Sequence, residues 1–266
     1  MNILEKIVEH KREEVATRRQ KINISALCNM EYFERKLLSL RSTLENQRIF
    51  GIIAEIKRSS PSEGTLRTNS KPVEIAQDYE ANGAAGISVL TDERFFSGTL
   101  EDLRCVRQAV QIPLLRKDFI IDEYQIVEAK AYGADALLLI AGILERSQLK
   151  DLHTATKELQ LECLVELYKE QEIDKIDFDE MKLIGINNRD LRTFEVDLNR
   201  SITMAQYLPK DVTIVSESGI QDSGDLKRLR DVGIRAALVG EYFMKAEQPG
   251  KALKELLEGL TNATAS

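Results

Sequence analysis

Histidine occurs only twice in this chain of 266 residues, and cysteine three times. His10 and His153 lie in separate helix-like stretches and are expected at the surface, so neither a histidine metal site nor a Ser-His triad has support. Cys28, Cys105 and Cys163 stand far apart with no CxxC spacing, which excludes a disulfide framework and a zinc knuckle. Positive charge is in deficit as well: the net charge is −7 and the sequence pI about 5.2. That balance speaks against nucleic acid or an anionic membrane as partner, and any anionic ligand must be held by a local site. Long apolar runs are missing. The longest, Ala136 to Leu144, has nine residues, under half of the roughly 20 that span a bilayer, and reads as a buried strand. The N-terminus opens with alternating charge (Glu5, Lys6, Glu9, Lys11, Arg12) and no signal-type apolar core, so a cytoplasmic protein is expected.

What is present is a globular composition, 43% hydrophobic and 30% charged, enough for one sizeable core. Residues 1–48 read as a helical extension of two amphipathic helices. Leu4, Ile7, Val8 and Val15 share a face of the first; Phe33, Leu37, Leu40 and Leu44 recur at helical steps in the second. The charge run from Glu9 to Lys21 reads as a solvated face, with Glu14 and Arg18 placed to pair. From residue 49 onward, short β-rich runs (49–57, 85–91, 112–117, 136–141, 161–167, 182–187, 211–217 and 235–240) alternate with helix-like segments. The latter lie around 72–82, 99–110, 122–132, 145–160, 168–175, 197–207, 221–231 and 247–258. Eight such units of roughly 27 residues predict an α/β fold, a (β/α)8 barrel, over 49–266, with the extension packed on it as a single domain. Asn82-Gly83-Ala84, Tyr132-Gly133-Ala134 and Val232-Gly233-Ile234 repeat a helix-ending glycine before strands 2, 4 and 8, an internal echo; the copy before strand 6, Phe178-Asp179-Glu180, has none.

The odd strands close in charged residues: Glu55 and Lys57, Lys117 and Asp118, Glu166, and Glu217 before Ser218-Gly219. Side chains of alternate strands share a layer in such a barrel, and the carboxyl ends form the active face. Glu55 and Lys57, two apart, point the same way. Acids and lysines should therefore meet at one mouth, where a polar cluster is costly unless paired or used. The plainer alternative is that some face the helix ring or merely pair. Loops beginning Ser218-Gly219 and Gly240-Glu241, after strands 7 and 8, suit backbone phosphate binding; the Glu241 N–H can donate while its carboxylate turns away.

The stretches IIAEIKRSSPSEG (52–64), LTDERFFSG (90–98), LLRKDFIID (114–122), LVE (164–166), IGINNRDLRTF (184–194), SESGI (216–220) and LVGEYFM (238–244) resemble indole-3-glycerol phosphate synthase across nearly the whole chain. The resemblance implies Lys117 as general acid and Glu166 as general base, with Lys57, Glu55, Asn187 and Glu217 completing the polar ring. It implies Ser60, Arg189, Ser218 and Gly219 at the substrate's charged ends. Phe96, Phe119, Leu138, Leu191 and Phe194 would wall the anthranilate pocket; the plainer reading of these five is ordinary core. The implied reaction is ring closure, decarboxylation and dehydration of 1-(2-carboxyphenylamino)-1-deoxyribulose 5-phosphate, with no metal, nucleotide or redox cofactor. The implied partner is this small phosphorylated substrate alone, for a monomer or weak homo-oligomer without a fused partner domain. A Schiff-base phosphosugar aldolase and a non-catalytic phosphosugar-binding barrel remain the alternatives.

Overall fold

Apolar runs too short for helices, each followed by an amphipathic segment, bury both strand faces when a parallel sheet closes on itself inside a ring of helices. A computed structural model, describing residues 3–61, 64–65, 71–191 and 193–262, has this arrangement. The barrel strands are β1 (Gly51–Ile56), β2 (Gly86–Leu90), β3 (Leu114–Lys117), β4 (Ala136–Ile140), β5 (Glu162–Leu167), β6 (Leu183–Asn187), β7 (Thr213–Glu217) and β8 (Ala236–Val239). They pair in parallel, in chain order, and β8 closes on β1. Each lies within two residues of its expected limits. Strand alternation sorts the core: Ile52, Ala54 and Ile56 face the helices, whereas Ile53, Leu115, Leu138, Leu164, Val215 and Leu238 fill the barrel.

The helices are α1 (Ile3–Lys21), α2 (Ile24–Cys28) and α3 (Leu40–Glu45) before the barrel, then α4 (Pro72–Ala81), α5 (Glu93–Phe96), α6 (Leu100–Ala109), α7 (Glu123–Ala131), α8 (Arg146–Glu158), α9 (Asn199–Met204), α10 (Ser223–Asp231), α11 (Glu241–Lys245) and α12 (Pro249–Asn262). The segment expected as a helix over 168–175 is a 3-10 stretch, Glu170–Lys175. Gly83, Gly133 and Gly233, the echoed glycines, all take left-handed φ of 95°, 92° and 92°, where a side chain would be strained. Two one-turn helices, α5 and α11, and a ladder between Ser59–Ser60 and Gly64–Thr65 were not evident in the sequence pattern. Ser62, Glu63 and Arg192 of the motif stretches lie outside the described residues.

The extension departs from expectation in two ways. The second amphipathic helix is instead two short ones, with Phe33 and Leu37 in the non-helical chain between them. Asn29 ends α2, and the Ser39 side chain, accepting from Ser42 N, starts α3 afresh, so the apolar spacing is shared between separate packing sites. Arg35 anchors the connecting chain by donating to Asp135 Oδ1 at 2.7 Å. Leu40 and Leu44 plug the amino end of the barrel, and a Cβ on Gly86 or Gly51 would lie 2.8 or 2.7 Å from them.

The charge run of α1 is solvated over most of its length, with Glu9, Arg12, Glu13, Arg19 and Lys21 exposed, but Lys11 departs from that reading. Lys11 is fully buried, its Nζ 2.8 Å from Asp92 Oδ2, 2.8 Å from Asp118 Oδ1 and 2.9 Å from Glu14 Oε2. Arg18 pairs with Glu14, as expected, and lies 3.5 Å from Glu128. The reason is tertiary: α1 crosses the carboxyl end of the barrel, where the loops after β2 and β3 present Asp92 and Asp118. His153 likewise is buried on α8 rather than at the surface. Burial there lowers its pKa, aided by Lys157. His10 is half-buried, edge-on to Phe95 at 5.9 Å.

Candidate active site

Strand alternation and the odd-strand rule place Glu55 of β1, Lys117 of β3, Glu166 of β5 and Glu217 of β7 at one level of the barrel mouth. Lys117 is the centre of this layer. Its Nζ donates to Glu166 Oε2 at 2.9 Å and to Glu217 Oε2 at 2.5 Å. Asn187, at the end of β6, donates from Nδ2 to Glu166 Oε1 at 3.1 Å, and Ser218 Oγ donates back to Asn187 Oδ1 at 3.1 Å. Lys57, one pleat beyond Glu55, lies 3.0 Å from Glu55 Oε1.

Burial opposes the charge on Lys117, but the carboxylates of Glu166, Glu217 and Glu55 outweigh it and hold its pKa above the ordinary lysine value. Glu217 goes the other way for a carboxyl. Its burial, reinforced by Glu166 and Glu55, overcomes the attraction of Lys117 and pushes its pKa up to about 8. Glu217, buried beside two further acids, thus holds its proton near neutrality.

Every residue singled out from the sequence lines the cavity above this layer. Phe96 and Phe119, from the loops after β2 and β3, form one wall with ring centroids 6.1 Å apart. Leu138 lies in both the barrel core and the cavity floor, while Leu191 and Phe194 approach from the loop after β6. Phe194 and Ser218 take left-handed φ of 64° and 68°, backbone strain of the kind that clusters at functional sites. Ser60 is buried at the rim.

Ser218 is followed by Gly219, also left-handed at φ 88°, and a Cβ there would lie 2.6 Å from Val196 Cγ1. Gly240 leads into α11. The Glu241 carboxylate turns sideways, accepting from Arg189 Nη2 at 2.7 Å and Lys245 Nζ at 2.6 Å. Burial would raise its pKa, but Lys245, Arg189 and Lys57 bring it below the ordinary value. Arg189 therefore borders the Gly240-Glu241 loop, and it and Lys57 line the same cavity as both glycine loops.

Sequence reasoning missed part of the wall. Ile3, Leu4 and Ile7 of α1 also line the cavity, in one apolar cluster with Phe96 and Phe119. The helical spacing of Leu4 and Ile7 was legible, that of Ile3 was not singled out, and a helix face carries no address. Among the described residues no group of three or more His, Cys, Asp and Glu is arranged to hold a metal ion, and no helix is long and apolar enough to cross a membrane.

A family model described as indole-3-glycerol phosphate synthase matches residues 4–256. A protein of that name from Salinibacter ruber is 48% identical over 96% of this chain and 95% of its own length. The one from Carboxydothermus hydrogenoformans is 45% identical over 96% of this chain and 99% of its own. Among solved structures, the tryptophan synthase alpha chain of Legionella pneumophila matches with a TM-score of 0.64 at 11% identity, over 85% of this chain and 98% of its own. Thiamine phosphate pyrophosphorylase from Pyrococcus furiosus matches at 0.59 and 16%, over 84% and 98%. At those identities the two structures bear on the fold alone.

Proposed function

The chain belongs to the indole-3-glycerol phosphate synthase family, and from that premise we propose which of its residues carry each part of the reaction. The activity is that of a carboxy-lyase of tryptophan biosynthesis. It closes the ring of 1-(2-carboxyphenylamino)-1-deoxyribulose 5-phosphate, and carbon dioxide and water leave as indole-3-glycerol phosphate forms. Ring closure joins the ring carbon bearing the carboxylate to the ribulose carbonyl, so negative charge develops on that oxygen. Lys117 meets it as a hydrogen-bond donor and then as the acid that protonates it. Its raised pKa keeps it charged in the free site; a developing alkoxide is a much stronger base and still draws the proton. Loss of carbon dioxide restores the aromatic ring, and dehydration then needs an ammonium of the mouth to protonate the hydroxyl so that it leaves as water, and a base to take the proton from the adjacent carbon. Glu166 supplies it, oriented by Asn187 and able to return its proton toward Lys117 at 2.9 Å.

Lys57 is placed to grip the substrate carboxylate before it leaves, with Glu55 steering it. The glycine loops at Ser218-Gly219 and Gly240-Glu241 take the phosphate, with Arg189 beside them. Phe96, Phe119, Leu138, Leu191 and Phe194, with Ile3, Leu4 and Ile7, sandwich the aromatic ring. We place the protein in the cytoplasm, supported by three unpaired cysteines. Residues 1–48 and 49–266 act as one unit, as a monomer or weak homo-oligomer, a reading supported by α1 lining the cavity of its own barrel.

The observation that carries this reading is Lys117 held between Glu166 and Glu217 at the barrel mouth, under an aromatic wall. It also disfavours a Schiff-base aldolase, whose lysine must be an uncharged amine. Lys117→Ala and Glu166→Gln are expected to lower turnover by at least ~10² in an assay following indole fluorescence, the lower range for a lost acid or base. Turnover near that of the unaltered protein in either variant would remove that residue from its role.

A further inference from the structure

The inward positions just below the reacting layer come from the even strands: Ser88, Leu138, Gly185 and Leu238. Three carry side chains. The fourth, Gly185 on β6, has none, and the space its side chain would fill is taken by the carboxyl of Glu217 from the neighbouring strand. A Cβ on Gly185 would lie 2.1 Å from Glu217 Oε1 and 3.2 Å from Glu217 Cδ, with Leu164 Cδ1 at 3.4 Å behind. Among the described residues Glu217 Oε1 has no hydrogen-bond partner, so this half of the carboxyl is located by contact alone. The other half, Oε2, accepts from Lys117 Nζ at 2.5 Å.

We infer that Gly185 is a positioning residue for the reaction: its bare Cα is the seat of the Glu217 carboxyl, and that seat sets how Glu217 holds Lys117. The same device recurs two strands on. A Cβ on Gly240, just past β8, would lie 2.5 Å from Glu55 Oε1 and 3.0 Å from Glu55 Cβ, and Glu55 in turn holds Lys57. Each lysine of the mouth is thus held by an acid that rests on a glycine of the preceding strand. The close contact of a methyl at 185 is with the carboxyl end of the Glu217 side chain, which can swing away, while Leu164 Cδ1 lies at ordinary contact distance, so the barrel is expected to accommodate it. The atom that swings is a group of the reacting cluster. Displacements near 1 Å at such groups lower turnover by as much as ~10².

The inference rests on the placement of Glu217 and Lys117 in the reacting cluster, and the test separates the two. Gly185→Ala, Glu217→Ala and the double variant are compared by steady-state kinetics with the named substrate and by thermal unfolding. Gly185→Ala is expected to lower kcat by ~10- to 10²-fold with KM within about twofold, because only the transition state uses the displaced group. In the Glu217→Ala background the same methyl is expected to change kcat by less than about twofold, since nothing occupies its space. Equal losses in both backgrounds, or a fully active Gly185→Ala, overturn the inference. A fully active Glu217→Ala overturns the placement of Glu217 instead. If Gly185→Ala alone does not fold, recovery of folding in the double variant supports the seat, and continued failure there overturns it.

Discussion

Three carboxyls, Glu55, Glu166 and Glu217, share the barrel mouth with the ammonium groups of Lys57 and Lys117, and all three acids are buried. With Glu217 protonated the five groups sum to zero charge, the state a poorly solvated site favours. That protonation has a consequence for stability whose sign follows from linkage. The Glu217 pKa rises from an ordinary 4.5 to about 8 in the folded chain, so across that interval the native state binds more protons than the unfolded one. Its contribution to stability therefore falls as pH rises from about 4.5 to about 8 and is constant above. Glu217→Gln removes the titration while keeping shape and neutrality. The melting temperature of Glu217→Gln, relative to the unaltered chain, is expected to rise steadily between pH 5 and pH 8.5 and then level. Parallel melting curves at all pH values would return Glu217 to an ordinary carboxylate.

Among the elements, α1 is the one whose role the tertiary structure redefines. It roofs the cavity with Ile3, Leu4 and Ile7 and is fastened through Lys11 to Asp92 and Asp118 in the loops after β2 and β3. Asp118 is the residue after Lys117, and Asp92 caps α5, which ends at Phe96. The fastening therefore joins the roof to both Lys117 and the aromatic wall. Burial would raise the Asp118 pKa, but Lys11 and Arg116 drive it well below the usual carboxylate range. Its contribution is present above the unfolded value near 4 and is lost as pH falls below it. Lys11→Met keeps the stem and leaves Asp92 and Asp118 short of their shared cation, a change of the kind that costs ~3–5 kcal/mol. The expected outcome is a lower melting temperature, faster amide hydrogen exchange along α1 and a higher KM for the substrate. An unchanged melting temperature would mean that Arg116 and Thr91 suffice for Asp118.

At the scale of the whole molecule, ligand binding and stability are linked by mass action. Inorganic phosphate fills only part of the site, yet at 100 times its Kd it would add about 2.7 kcal/mol to the native state. Millimolar phosphate is expected to raise the melting temperature, and Gly219→Asp to abolish the increment, whatever its own effect on stability. The substitution forces a side chain onto a left-handed residue 2.6 Å from Val196 and adds an anion beside the proposed phosphate. An unaltered increment would move the phosphate to another loop.

The sequence by itself determined the barrel, because strand and helix periods, eightfold alternation and glycine caps are local properties that short windows of residues express. It also determined the polar layer at the barrel mouth: in a closed barrel, alternation and strand parity together dictate which ends converge, so Glu55, Lys117, Glu166 and Glu217 were legible as one group. Only the tertiary structure decided where the extension packs. Phe33, Leu37, Leu40 and Leu44 keep helical spacing without forming one helix, and Lys11 sits in a charge run that looks solvated until Asp92 and Asp118 are brought over it. Burial of a charge depends on partners 81 and 107 residues away in the chain, and no local pattern encodes them. The same holds for Gly185, whose place in the motif was readable but whose contact with a carboxyl from the next strand, filling the space it leaves, was not.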